Sequence, residues 1–283
     1  MRKVLIKVLI LILSKIPLFF LFKISRILYF ITYYIFKYRK NIVYNNLKRS
    51  FPKKDNSQII NIQKNSIKHF CDIIVEIIYS FSISKNELIK RVKIKNKKIF
   101  KEIDSNLNGS ILIGAHYNNW EWMGLLLSVY FSKKINFAYK PLSNKILNEI
   151  LLQSRKRFDG NPINMKDFAR VTLEDSKNLS VFLCDQSPRK KEINFFCDFL
   201  NQKTPVYIGP EKISIKKKQD IYFIILKKIK RGYYEIDLKK IKKNNLNFGE
   251  ITKLHVKELE KLILNNPNHW LWTHRRWKFQ KKI

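Results

Sequence analysis

The 283-residue chain carries 57 Lys and Arg against 22 Asp and Glu, a formal charge of +35. Apolar residues make up 45%, and Gly and Pro number only 7 and 8, which excludes disordered, collagen-like and Pro-rich chains and leaves one large domain or two small ones. So large a basic excess points to an anionic partner: nucleic acid, a membrane surface, an acidic carrier protein or a phosphorylated substrate.

Residues 4–22 form an apolar run interrupted by Lys7, Lys15 and Pro17, and a second run, 27–36, follows Lys23 and Arg26. The first has the length of a membrane helix, but two lysines are costly at a bilayer centre. Two readings stand: a membrane anchor, spanning or lying in plane, and a buried helical hairpin. No Ala or Gly precedes Gly109, so no signal-peptide cleavage site is expected. If the segment spans, the basic flank Lys37, Arg39 and Lys40 puts the rest of the chain on the cytoplasmic side.

Lys48 to Asp55 is a punctuated loop in which Asp55 or Asn56 caps a following helix. Apolar residues then recur at helical spacing over residues 59–81 (Ile59, Ile62, Ile67, Phe70, Ile74, Ile77, Ile78). A turn at residues 107–110 precedes a short buried strand, 111–115. Helix Trp120–Tyr130, strand Ile135–Tyr139 and a helix over 145–157 follow. Strands are expected at 180–184, 221–226 and 233–238, with a closing amphipathic helix at 249–264. This alternation predicts an α/β fold, a sheet with helices on its faces. Cys71, Cys184 and Cys197 are too scattered for a disulfide framework and read as reduced packing residues.

The sharpest local feature is Gly114-Ala115-His116-Tyr117-Asn118-Asn119-Trp120-Glu121. Five residues on one helix turn the chain by ~500°, leaving His116 and Glu121 ~140° apart. They meet only if His116 sits at the strand end and Glu121 in the first helical turn. Glu121 then accepts from Nδ1–H and leaves Nε2 as a base for deprotonating a hydroxyl or amine that attacks an acyl group. Otherwise the pair is a loop histidine beside a solvated glutamate. H-E-x-x-H, G-x-S-x-G and P-loop patterns are absent, so no metal is expected, and a serine hydrolase or P-loop NTPase is disfavoured.

The C-terminus reads Pro267-Asn268-His269-Trp270-Leu271-Trp272-Thr273-His274-Arg275-Arg276-Trp277-Lys278. It is either an aromatic platform beside a guanidinium clamp for phosphate, or an aromatic tail packed on the core with surface arginines.

Together, H-Y-N-N-W-E, Tyr139-Lys140-Pro141-Leu142-Ser143-Asn144, Asp185-Gln186 and P-x-x-W-L-W-x-H-R-R-W-K resemble the lipid A late acyltransferases. These are the lauroyl/myristoyl transferases of the lysophospholipid acyltransferase superfamily. Tyr38-Arg39, Asn45-Asn46-Leu47 and Ser50-Phe51-Pro52 extend the likeness over most of the chain. The resemblance implies an N-terminal membrane anchor (residues 1–40) and a glycerolipid-acyltransferase-like α/β domain with a mixed sheet (residues 41–283), on the cytoplasmic face of the inner membrane. It implies transfer of a fatty acyl chain from acyl carrier protein to a hydroxyl of a lipid A precursor, with no cofactor. His116 corresponds to the general base and Glu121 to its partner. Lys140 stands where many members carry Arg, Arg157 and Asp185 fall at downstream polar positions, and Arg275 and Arg276 complete the substrate-binding set. Another lipid acceptor, glycerolipid or amino-acid lipid, is the alternative within the same chemistry. Nucleic-acid binding fits poorly, because the lysines are dispersed, no recognisable module is present and the N-terminus is apolar.

Overall fold

The computed structural model describes residues 2–175, 177–241 and 247–279, with side chains from residue 5 onward. The outer ends of the two expected domains, residue 1 and residues 280–283, lie outside the described residues. Helix α1 (Arg2–Ser14) stops ahead of Pro17, whose extended backbone starts α2 (Leu18–Phe30). α2 runs on as a π-helical turn, Ile31–Ile35. α3 (Lys40–Ser50) leads to α4 (Asn56–Tyr79), the core helix that the periodicity predicted. Asp55 caps it in a capping box, accepting from Gln58 N–H at 2.9 Å while Gln58 accepts from the Asp55 N–H at 3.2 Å.

α5 (Lys85–Arg91), β1 (Val92–Ile94) and α6 (Lys97–Ser105) come next, none of them anticipated. β2 (Ser110–Gly114), α7 (Trp120–Tyr130), β3 (Ile135–Tyr139) and α8 (Lys145–Arg155) follow at or near their predicted places. Two short unforeseen elements, β4 (Asn161–Asn164) and α9 (Phe168–Glu174), lead into β5 (Leu179–Leu183). A two-stranded hairpin, β6 (Phe196–Phe199) and β7 (Gln202–Pro205), and α10 (Gly209–Lys217) precede β8 (Asp220–Lys230), β9 (Tyr233–Lys240) and α11 (Glu250–Asn265).

The sheet order is β1-β9-β8-β2-β5-β3-β4. β8 and β9 are antiparallel and every other neighbour pair is parallel, so the sheet is mixed. β2 lies at its middle and is buried along its whole length, as its unbroken apolar sequence requires of a strand covered on both faces. Ile111 and Ile113 face one core layer with Phe182, Ile221 and Phe223, whereas Leu112 faces the other with Val181, Tyr222 and Ile224. α7 covers the second face, and Phe168 of α9 packs into the first.

Candidate active site

His116 stands two residues beyond the end of β2, and Asp185 two beyond the end of β5. These strands are parallel neighbours with Gly114 opposite Leu183, so their register carries the two side chains to adjacent positions. His116 Nδ1 lies 2.8 Å from Asp185 Oδ1. The other carboxylate oxygen accepts from the Trp270 indole N–H at 2.8 Å. Asp185 is buried, its side chain 2% exposed against 19% for His116. Burial opposes its ionisation, but the neighbouring His116 and the Trp270 hydrogen bond outweigh burial and hold the carboxyl below its ordinary value.

The expected partner of His116, Glu121, is engaged elsewhere. Asn119 caps α7 by accepting from Trp122 N–H at 2.9 Å, which places Glu121 in the first helical turn. From there Glu121 meets Arg155 of α8 in a two-pronged ion pair, Nε to Oε2 at 2.9 Å and Nη2 to Oε1 at 2.6 Å. The Trp120 indole adds a hydrogen bond at 3.1 Å. Burial raises the carboxyl of Glu121, and Arg155 overrides it and holds Glu121 ionised. The Nδ1 position predicted for Glu121 thus belongs to Asp185: the register of β2 and β5 brings Asp185 to His116, while Glu121 is held by Arg155.

The C-terminal segment fixes the loop that carries His116. Tyr117 forms a bridge with Trp270. The Leu271 N–H donates to the His116 carbonyl at 3.0 Å, and the Asn118 N–H to the His269 carbonyl at 2.9 Å. Asn118 adopts a left-handed backbone with φ 56°, a conformation Asn tolerates better than most residues. Its side chain is buried and donates to the Leu226 carbonyl at 2.8 Å. Asn119 is tied from behind by the wholly buried Glu76, which accepts from its amide and from the Tyr234 hydroxyl at 2.8 and 2.7 Å.

His116, Glu121 and Arg155 line a cavity of about 1170 Å³. Its shape follows from the sheet. β3 and β5 pair only from Ile135↔Leu179 to Phe137↔Val181. Beyond that point β5 stays with β2 and β3 stays with β4. The strands part, and the cavity between them is lined by Met123 and Gly124 of α7 and by Phe168 and Ala169 of α9. Arg39, Lys140, Arg189, Arg275 and Lys278 supply cationic lining. The result is a partly apolar slot with a basic surround and His116 on its wall, backed by Asp185, larger than the roughly 300–1,000 Å³ of a drug-sized ligand site.

Of the residues singled out from sequence, His116, Glu121, Lys140 and Arg275 line this cavity. Asp185 stands behind His116. Arg157 does not line it: its guanidinium donates to the carbonyls of Ser80 and Ile83, the latter at 2.6 Å. Arg276 does not line it either. It is 2% exposed, donates Nη2 to the Pro205 carbonyl at 2.8 Å and leaves Nε and Nη1 without hydrogen-bond partners among the described residues. The two C-terminal readings therefore divide by residue. Trp270, Trp272, Trp277 and Arg276 are core, and Arg275 faces the cavity. Sequence reasoning missed Arg155, whose available signal was its helical spacing from Asn148 and Leu151, the other α8 residues on the cavity wall.

Cys184 also lines the cavity. Burial raises its thiol well above the ordinary range, with the Asp185 charge adding to the effect, so it is a poor nucleophile. Among the described residues, no group of three His, Cys, Asp or Glu is placed to hold a metal ion.

Residues 3–279 match the family model described as bacterial lipid A biosynthesis acyltransferase. Comparison with curated proteins finds no match.

Proposed function

The chain belongs to the bacterial lipid A biosynthesis acyltransferase family, and from that premise we propose that it transfers a lauroyl- or myristoyl-type chain from acyl carrier protein to a hydroxyl of a lipid A precursor, at the cytoplasmic face of the inner membrane. The family supplies the reaction class and the acceptor class. The observation that carries the mechanism is His116 on the wall of a large, partly apolar cavity with Asp185 hydrogen-bonded behind it.

In this reading Asp185 accepts from Nδ1–H and fixes the tautomer, leaving Nε2 as the base. The acceptor hydroxyl loses its proton to Nε2 as its oxygen attacks the thioester carbonyl. The tetrahedral oxyanion develops in a cavity whose cationic lining includes Lys140, a charge of the sign that offsets it. Collapse breaks the C–S bond, and the imidazolium returns the proton to the departing thiolate. No covalent acyl-enzyme is needed, in keeping with the suppressed Cys184 thiol. The apolar slot between β3 and β5 takes the acyl chain. The basic surround suits both the phosphates of the acceptor and an acidic carrier protein.

Mass spectrometry of lipid A from a strain lacking the gene tests the reading. Lipid A short of one acyl chain is the expected outcome. Unchanged lipid A with altered glycerolipids would move the protein to another acceptor.

A further inference from the structure

The apolar N-terminus presents two exposed stripes, the second interrupted by the exposed Lys23 and Arg26. On α1 they are Leu5, Val8, Leu9 and Ile12, and on α2 and its π-helical end Phe19, Phe20, Ile27, Phe30 and Tyr34. Exposure reaches 70% at Leu5, 67% at Phe19 and 60% at Ile27. Among the described residues, no protein surface covers them. The opposite side of each helix is fastened to the domain. Leu18 and Leu21 are buried, and the Ser25 hydroxyl, midway along α2, donates to Asp72 of α4. Arg231, at the β8–β9 turn, donates Nε to the other oxygen of Asp72 at 2.9 Å and Nη2 to the Phe22 carbonyl at 3.2 Å. On α1, Lys7 forms an ion pair with Glu149 of α8 at 2.5 Å, and the Ser82 hydroxyl donates to the Ser14 carbonyl.

We propose that α1 and α2 lie in the plane of an anionic lipid leaflet, as a ridge with its exposed stripes sunk among the acyl chains, and that neither helix crosses the bilayer. Leu18–Ile35 is long and apolar enough to cross. α1, with 13 residues, is only about 20 Å long, well short of a hydrocarbon core of ~30 Å. For α2 the fastening decides. A crossing would bring Ser25 to mid-bilayer and draw in the Asp72–Arg231 ion pair and the adjoining Lys228 and Lys230, groups that hydrocarbon excludes. Lying flat keeps that network on the protein side and only the stripes in lipid. The charge fits the occupant, since no acidic residue precedes Asp55. Lys23 Nζ sits 5.0 and 5.3 Å from the ring centres of Phe19 and Phe20, a side chain draped over its apolar neighbours with its charge free for headgroups.

The stripe also leads to the cavity. Phe36 and Tyr38 are exposed, and Arg39, the next residue, lines the cavity and donates to the Thr273 carbonyl at 2.9 Å. A lipid whose tails stay in the leaflet then reaches the site laterally. This last step rests on the proposed acceptor, whereas the in-plane placement does not.

Variants of the full chain that each add one cysteine, Lys3→Cys, Lys15→Cys and Lys216→Cys, in sealed membrane vesicles, test the placement with a membrane-impermeant maleimide before and after detergent. The native thiols are buried, so the parent protein sets the background. In-plane helices put all three positions on one side, and they label together. A crossing by α1 alone separates position 3 from 216, a crossing by α2 alone separates both 3 and 15 from 216, and a crossing by both separates 15. Any such separation overturns the proposal. As a second measurement, the double variant Phe19→Glu and Phe30→Glu should lose at least tenfold in binding to phosphatidylglycerol-containing vesicles at high salt. Unchanged binding would also overturn it. Failure of the wild-type protein to bind such vesicles would remove the membrane from the reading and leave the acyltransfer proposal to its own test.

Discussion

His116 Nδ1 and Asp185 Oδ1 lie 2.8 Å apart although they are 69 positions apart in the chain, because β2 and β5 are paired with Gly114 opposite Leu183. Asp185→Asn keeps the volume but offers an N–H where the ring needs an acceptor, forcing the wrong tautomer. Under the proposed mechanism kcat should fall by roughly 10²–10⁴, the range for losing a general base, and His116→Ala should fall in the same range. The double variant should be little worse than either single one, since the two act as a unit. Steady-state kinetics on folded protein decide it, and near-wild-type turnover in Asp185→Asn would remove Asp185 from the mechanism.

Glu121 and Arg155 form a separate unit. Arg155 holds the Glu121 carboxyl below its ordinary value against the pull of burial. A carboxyl depressed on folding contributes stability above its unfolded pKa of ~4.3, and that contribution disappears as pH falls through the folded value. Glu121→Gln should therefore flatten the acid side of the stability profile. A double-mutant cycle with Arg155→Gln should give a coupling of about 0.5–3 kcal/mol. Additive losses in thermal melts would show that the pair is not coupled.

Arg275 and Arg276 should fail differently. Arg275 is exposed and lines the cavity, so Arg275→Ala should raise KM for an anionic acceptor in a salt-dependent way with kcat little changed. Arg276 is buried, and burial pushes its guanidinium down to about 10. Arg276→Ala should act on the fold, lowering Tm through the lost packing of its buried stem and the lost hydrogen bond to the Pro205 carbonyl. Melting curves and kinetics measured on both variants separate the two roles, and an exchange of phenotypes would refute this division.

Glu76 gives the stability of the protein a pH dependence near neutrality. Burial raises its carboxyl to about 7, with the hydrogen bonds from Tyr234 and Asn119 pulling the other way. Between the unfolded pKa of ~4.3 and that value the unfolded chain binds fewer protons than the folded one. The Glu76 contribution thus declines as pH rises through this window and levels off above it. Wild type should lose more Tm than Glu76→Gln between pH 5 and pH 8. Parallel changes in calorimetry would contradict the assignment.

Gly124 and Phe137 both line the cavity, and a Cβ at Gly124 would be in contact with the Phe137 ring at 3.4 and 3.6 Å, so a larger side chain there competes with that ring for the space of the slot. If the slot holds the acyl chain, Gly124→Leu should shift donor preference toward shorter chains, read from competing donors in one assay. An unchanged preference would place the chain elsewhere.

Much of the frame was legible in the order of residues. Apolar alternation and helical spacing located α4, α7, β3 and the strands that build the sheet centre, because these elements are long or buried and their periodicity is not diluted. β1 has three residues, and β4, Asn-Pro-Ile-Asn at the sheet edge, is half-buried and polar. Such strands are defined by the neighbour they pair with and carry no pattern of their own. Residues of the H-x₄-E segment and of the C-terminal Trp-Arg segment, far apart in the chain, line the same cavity.

Which groups meet there was settled only by folding. His116 takes Asp185 as its partner because parallel register aligns two strand ends that are far apart along the chain. Glu121, five residues from His116, instead turns to Arg155 on another helix. Arg275 and Arg276 are chemically identical neighbours, yet one faces the cavity and the other is sealed in the core, because successive residues of a non-helical segment point to different sides. Local composition determines which chemistry the chain carries, and strand order and register determine which of those groups come within hydrogen-bonding distance.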